Sequence, residues 1–266
     1  MTNDRPAVAP SFVGGAGEPL VLLHGATMSW RVWEPLLPLL APHHRILAPT
    51  LPGHAGSPAT APVMTLADLV DSVESAMDDE SVPTAHIAGN SLGGLVAMEL
   101  ARRGRARTVV AISLAGGWTP EGGTAVARTV SGGQNLVRRI RPILPVAMRV
   151  PWMRRLAFRD VARDGARLSA GRAVRSLCAT ADSTLFEHFH EVAVAGPYPG
   201  GDAPVLIVWP TRDRIIPLRP HGIGWRSLVP GATWRVMGGV GHVPMLDDPE
   251  RVARTILEWT RPHACG

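Results

Sequence analysis

Apolar residues follow two rhythms along this chain. Short, nearly continuous runs bounded by Gly or Pro read as strands buried on both faces of a sheet. They are "PLVLLHG" (19–25), the start of "HRILAPTLPGHAGSP" (44–58), "AHIAGN" (85–90), "TVVAISLAG" (108–116), "PVLIVWP" (204–210) and "TWRVMGG" (233–239). Between them the apolar spacing becomes helical. "TLADLVDSVESAMDD" (65–79) opens on Thr with Asp three residues on, a capping pattern. "LGGLVAMELARRG" (92–104) closes on two arginines and a glycine. "DPERVARTILEWTRP" (248–262) starts with Asp-Pro and predicts a terminal helix. "WRVWEPLLPLL" (30–40) predicts an irregular helix, interrupted by Pro35 and Pro38.

Strand alternating with helix predicts an α/β fold: a mostly parallel, doubly wound sheet covered on both faces. One segment breaks the alternation. From Trp118 to Gly200 no clear strand is visible, and "NLVRRIRPILPVAMRVPWMRRLAF" (135–158) has helical spacing cut by Pro142, Pro145 and Pro151. The expected organisation is a core of residues 1–117 and 201–266 with a helical cap inserted at 118–200. No internal repeat is visible.

Composition narrows the picture. The chain has 266 residues, 45% hydrophobic and 18% charged, enough for one substantial core. No apolar run reaches the roughly 18–20 residues of a membrane span. The start, "MTNDRPAVAP", lacks an apolar signal core, so the expectation is a short disordered tail on a cytoplasmic protein. Cys178 and Cys265 lie far apart, in no metal or redox spacing, and read as reduced thiols. The net charge is +5 and every basic residue is Arg, which points to GC-rich codon bias. With one Tyr, four Phe and no basic run interleaved with aromatics, nucleic-acid binding is not expected.

The chemistry centres on "GNSLGG" (89–94). It could be a phosphate turn, a glycine-rich helix start, or a turn presenting a serine. A phosphate loop of the Walker type needs Lys, and there is none. A dinucleotide site needs Gly-x-Gly-x-x-Gly near the first strand and an acid after the next. The spacing here is Gly-x-Ser-x-Gly between a strand and a helix, a nucleophile elbow with Ser91 at its apex. A neutral serine needs a base and an acid to orient it. Topology puts the acid after a later strand and the histidine after the last, and Asp213 and His242 stand there. Asp247 and Asp248 are rival acids that read instead as caps of the final helix. The oxyanion donors are expected to be the backbone N–H groups of Leu92 and, in the loop after the first strong strand, Ala26. Thr27 and Met28 follow as candidate pocket floor. His24 reads as a structural histidine. No metal and no cofactor are expected.

At this point "LVLLHG", "LPGHAGSP", "AGNSLGG", "WPTRDRIIP" and "GHVPMLDDPE", in this order across roughly 20–260, resemble the α/β-hydrolase fold superfamily. The resemblance implies a serine esterase-like site, Ser91, Asp213 and His242, under a helical cap, acting on a small-molecule acyl substrate. With few residues before "PLVLLHG", an N-terminal strand is expected to be short or missing. Thr50 and Ala55 stand where relatives often carry Asp and Gly. The expected reaction is ester or thioester hydrolysis. Relatives that open epoxides or dehalogenate use Asp at the elbow; this chain has Ser91. Carbon–carbon bond hydrolases of ring-cleavage products often share Asn90, yet tend to have Trp where this chain has Val243. A slow-hydrolysing ligand-binding member is a further alternative.

The cap is expected to shape specificity. Leu185, Phe186 and Phe189 are candidate wall residues, with Val243 beside the histidine. His188 and His190, on a predicted helix, would point apart and read poorly as metal ligands. Arg128 to Arg175 contain twelve arginines and two acids, Asp160 and Asp164. Solvated helix faces explain this. The functional reading is docking of an acyl carrier protein, a coenzyme A thioester or acidic lipid headgroups. Met148, Trp152 and Leu156 recur at i, i+4 as an apolar face, with Arg154, Arg155 and Arg159 largely on the solvated side.

Overall fold

The computed structural model describes residues 10–57, 65–185 and 202–263. Its strands are β1 (Ser11–Gly15), β2 (Glu18–Leu23), β3 (His44–Pro49), β4 (Ala85–Asn90), β5 (Ala106–Ile112), β6 (Val205–Pro210) and β7 (Thr233–Met237). They form one seven-stranded sheet in the order β1-β3-β2-β4-β5-β6-β7. β1 runs antiparallel to β3, from Ser11 opposite Pro49 to Gly15 opposite Arg45. Every other pairing is parallel. The N-terminal strand expected to be short or missing is present, five residues long.

The apolar runs are continuous because both faces of the sheet are covered. In β2, Val21 and Leu23 enter one buried cluster, while Leu20 and Leu22 enter another on the opposite face. In β6, Ile207 and Trp209 enter the first and Leu206 and Val208 the second. Each fully buried Leu or Val contributes about 1.5–3 kcal/mol.

The longer helices are α1 (Leu66–Asp79), α2 (Leu92–Arg102), α3 (Pro120–Ile140), α4 (Pro151–Ala157), α5 (Ala170–Asp182) and α6 (Pro249–Thr260). α1 starts with a reciprocal capping box between Thr65 and Asp68. Residues 30–40 form a 3₁₀ segment, Trp30–Leu36, and one short α-turn, Leu37–Leu40, as the two prolines predicted. α6 is capped by Asp248, which accepts from the Arg251 N–H.

Between β5 and β6, the described residues contain helices and no strand. They bury a cluster of their own, including Leu144, Met148, Phe158, Leu168 and Leu177. Here the structure corrects one expectation. Met148 is buried in that cluster and Leu156, though 54% exposed, borders the same cavity as Met148, but Trp152 is 64% exposed and outside that cavity's wall. One short helix ends at Ala147, with Met148 as its cap, and α4 begins only at Pro151, so no common helical register carries the apolar face across the break. Arg154 also departs from expectation. It turns inward and donates to the carbonyls of Met148, Arg149 and Ala166. Arg155 and Arg159 lie on the solvated side, beside Asp164 and Asp160.

Candidate active site

β4 runs into α2 with one residue at the corner. Ser91 adopts φ 54° and ψ −116°, the left-handed side where an L-residue is strained. Two glycines make the corner passable. A Cβ on Gly89 would lie 2.2 Å from the Gly93 carbonyl oxygen. A Cβ on Gly93 would lie 2.3 Å from that of Leu23 on β2. Strand, helix and neighbouring strand therefore meet at a distance only glycine permits. The Ser91 amide donates to Ile112 of β5 (2.9 Å), which anchors the corner to the sheet. Ser91 thus stands at the N-terminus of α2, where the helix dipole favours negative charge.

Asp213 occupies the loop after β6. Its Oδ1 accepts from the Ile215 and Ile216 N–H groups at 2.9 and 2.8 Å, and its Oδ2 lies 2.8 Å from His242 Nδ1. The carboxylate is fully buried. An ionised carboxylate can only accept, so Nδ1 carries the imidazole proton and Nε2 is left as the basic nitrogen. Two backbone bonds hold the loops together: Thr211 N–H to Met237 and Arg212 N–H to Val240, each 3.0 Å.

The loop after β2 lies against the corner. A Cβ on Gly25 would be 3.3 Å from Asn90 Oδ1 and from Ser91 Cβ. The loop turns sharply there: Thr27 has φ 62°, and Met28 N–H donates to the Gly25 carbonyl (3.2 Å). Ala26 and Leu92 flank Ser91 in the same cavity. His24 below is buried and structural. Its Nδ1 lies 2.8 Å from its neighbour's carbonyl, Gly25 O, and its Nε2 accepts from Leu51 N–H at 2.9 Å. Burial, with His54 alongside, holds its pKa well below the usual value.

These groups open on a cavity of about 540 Å³, lined by Ser91, His242, Ala26, Leu92, Thr27 and Met28 and by apolar residues of the helical segment. The expected Val243 is not in its wall. Val243 is fully buried in the core cluster on one face of the sheet, because its N–H is tied to the Val161 carbonyl (2.8 Å) and its side chain packs downward. Phe186 and Phe189, like His188 and His190, lie outside the described residues.

Asp247 also departs from expectation. It does not cap α6. Its carboxylate accepts from the N–H groups of Arg163, Asp164 and Gly241, at 2.8–3.2 Å, and joins the helical segment to the histidine loop. Asn90, in sequence only a family likeness, has a positioning contact. Its Nδ2 donates to the carbonyls of His242 (3.0 Å) and Ile112 (3.2 Å), linking corner and histidine loop. No sequence pattern signals that bond, since its acceptor is backbone far along the chain.

Comparison with known proteins bears on the fold and the family. The chain is 34% identical over 222 residues to epoxide hydrolase EphH of Mycobacterium tuberculosis, covering 75% of this chain and 98% of that protein. A membrane phospholipase A, a bacterial virulence factor, superposes with a TM-score of 0.74 at 24% identity, over 95% of this chain and 82% of its own. The 2-hydroxy-6-oxo-6-phenylhexa-2,4-dienoate hydrolase from Rhodococcus sp. strain RHA1 gives 0.72 at 21% identity, over 94% of each. At these identities the two structures speak for the fold. The alpha/beta hydrolase family matches residues 20–255, and with the sheet order and the strand–Ser–helix corner this establishes the chain as a member of that family and a hydrolase.

Proposed function

We propose that this hydrolase cleaves a carboxylic ester or thioester through an acyl-enzyme on Ser91. The observation that carries the reading is the 2.8 Å His242–Asp213 bond beside a serine held in a strained corner of the same cavity. Ser91 Oγ attacks the carbonyl carbon while His242 Nε2 takes its proton. The negative oxygen that forms is stabilised by the N–H groups of Ala26 and Leu92. Collapse breaks the bond to the alcohol or thiol, which leaves with the proton from His242. Water then attacks the acyl group, His242 again serving as base, and the carboxylic acid departs. Asp213 keeps the imidazole in the working tautomer and stabilises its cation. The helical segment, expected at 118–200, serves as the cap over the acyl group.

The epoxide reading suggested by the name of EphH meets a chemical obstacle. A carboxylate opening an epoxide forms an ester, which water can cleave. Serine would form an ether, which a histidine-activated water does not cleave. Asn90, shared with carbon–carbon bond hydrolases, bonds to the His242 carbonyl and serves either chemistry equally. For acyl-carrier or coenzyme A docking on the cap, Arg154 turns inward, and Arg155 and Arg159 each lie beside an acid. The favoured substrate is a small-molecule acyl ester or thioester.

The test is fluorophosphonate labelling of Ser91, followed by a screen of p-nitrophenyl esters of increasing chain length, a ring-cleavage dienone and an epoxide. Ester turnover with Ser91 labelled supports the reading. Absence of labelling points to a ligand-binding member. Faster turnover of the dienone or the epoxide than of every ester rejects it.

A further inference from the structure

Except for Arg172, the arginines of the helical segment have partners or are exposed to solvent. Arg141 pairs with Asp182, Arg155 with Asp164 and Arg159 with Asp160. Arg138 donates to the carbonyls of Ala181 and Ser183. Arg172 differs. It lies in the first turn of α5 and lines the cavity that contains Ser91. Its Nη2 is shut off from solvent and has no hydrogen-bond partner among the described residues. A guanidinium nitrogen in that state has lost its water without gaining an acceptor, which is costly. Burial accordingly pulls its pKa below the usual arginine value, with nearby Glu34 opposing and Arg175 adding to the effect. Glu34 does not neutralise it as an ion pair, because that carboxylate is paired with Arg31. Arg175 follows at i+3 on the same helix face and also borders the cavity.

We propose that Arg172 is an anion anchor inside the substrate cavity, and that the preferred substrate is an ester or thioester bearing a carboxylate remote from the scissile carbonyl. This rests on the Ser91 acyl-enzyme reading above. Three features select the ligand. A guanidinium edge matches a carboxylate in shape and donates two parallel bonds to it. Arg172 offers a buried guanidinium nitrogen in the cavity wall with no partner among the described residues, which one carboxylate oxygen satisfies, whereas Arg175 on the same face is exposed and screened by solvent. The rest of the wall, with Val126, Val130, Val137, Met148 and Phe158, suits a methylene chain between the two polar ends.

The experiment compares mono-p-nitrophenyl esters of straight-chain dicarboxylic acids with p-nitrophenyl alkanoates of equal length. Wild type is expected to favour the anionic ester in kcat/KM by about tenfold or more, chiefly through KM, the span of a charge-assisted hydrogen bond. Arg172→Gln is expected to remove the preference. Arg172→Lys, which keeps the charge without the planar fork, should restore part of it. Circular dichroism establishes that the variants fold. A second measurement needs no variant: inhibition of neutral-ester turnover in wild type by alkanoates, alkanols and alkyl phosphates of one length. Strongest inhibition by the alkanoate supports the anchor. Equal inhibition by all three, stronger inhibition by the phosphate, or an undiminished preference in Arg172→Gln overturns it. The two proposals fail separately. Turnover of both esters with no preference removes only the anchor, whereas no turnover and no labelling of Ser91 removes the hydrolytic reading beneath it.

Discussion

Ser91 and Asp213 contribute through single atoms, so their replacement tests chemistry with little effect on folding. Ser91→Ala removes the bond-forming oxygen and leaves the glycines that make the corner. The expected loss of ester turnover is about 10⁴–10⁶-fold with an unchanged melting temperature. A variant retaining a tenth of wild-type activity would sink the acyl-enzyme reading. Asp213→Asn presents an amide to His242 Nδ1 and favours the wrong tautomer, for a loss of about 10⁴ in kcat. Asp247→Asn tests the rival acid. Its carboxylate bonds three backbone N–H groups and not the imidazole, so the cost falls on stability, about 1–3 kcal/mol, with kcat changed far less. The opposite ranking in paired kinetics and thermal melts would reassign the acid. Ser91, Asp213 and His242 were legible in sequence because residue type and chain order follow directly from the chemistry. Arg172 as a separate feature was not. It is one of many arginines, and what distinguishes it is a buried nitrogen with no partner together with a place in the cavity wall, which only packing reveals.

Elements were legible where periodicity meets punctuation. The buried strands, the capping box at Thr65 and the Asp248 cap all follow from local pattern. The Met148–Leu156 face did not, because spacing alone does not show where one helix stops and another begins. Val243 was misplaced for a related reason: a residue adjacent to a catalytic candidate can point the other way, and here it faces the core. The corner between β4 and α2 yields a prediction of its own. Gly93→Ala puts a Cβ 2.3 Å from the Leu23 carbonyl, a backbone atom that moves only if α2 parts from β2. Gly94→Ala meets the Leu114 side chain at 3.2 Å, which can shift by a few tenths of an ångström. Gly93→Ala should therefore cost about 3 kcal/mol or more and abolish turnover, and Gly94→Ala should cost far less. Similar melting temperatures for the two variants would contradict the close approach.

At the scale of the whole molecule, buried neutral histidines couple stability to pH. His54 is buried, and its Nδ1 is directed at the carbonyls of Pro52 (2.9 Å) and Leu51 (3.1 Å). Its Nε2 has no partner among the described residues, so a second proton there would be charged, dry and unbonded. Burial lowers its pKa from 6.5 to about 4. His24 shares this fate, since protonating its Nε2 would also break the bond from Leu51 N–H. His44 and His86, at the other end of the sheet, are lowered in the same direction. In every instance the unfolded chain takes up protons more readily than the folded one. The stability is thus complete above about pH 6.5 and is lost as pH falls toward the folded values. For His54 alone the loss between pH 7 and pH 5 is about 2 kcal/mol. The consequence extends beyond the loop at 51–54. The Gly53 carbonyl in that loop accepts from Ser183 Oγ (2.9 Å), Thr184 N–H (2.9 Å) and Leu185 N–H (3.1 Å), so loosening the loop also loosens the helical segment over the cavity. Thermal melts from pH 7 to pH 5 are expected to show a marked fall in melting temperature. His54→Asn, whose amide can still donate to the Leu51 or Pro52 carbonyl but cannot titrate, should show a smaller fall. A wild-type melting temperature that stays flat over this range, or an equal fall in the variant, would refute the role assigned to these rings.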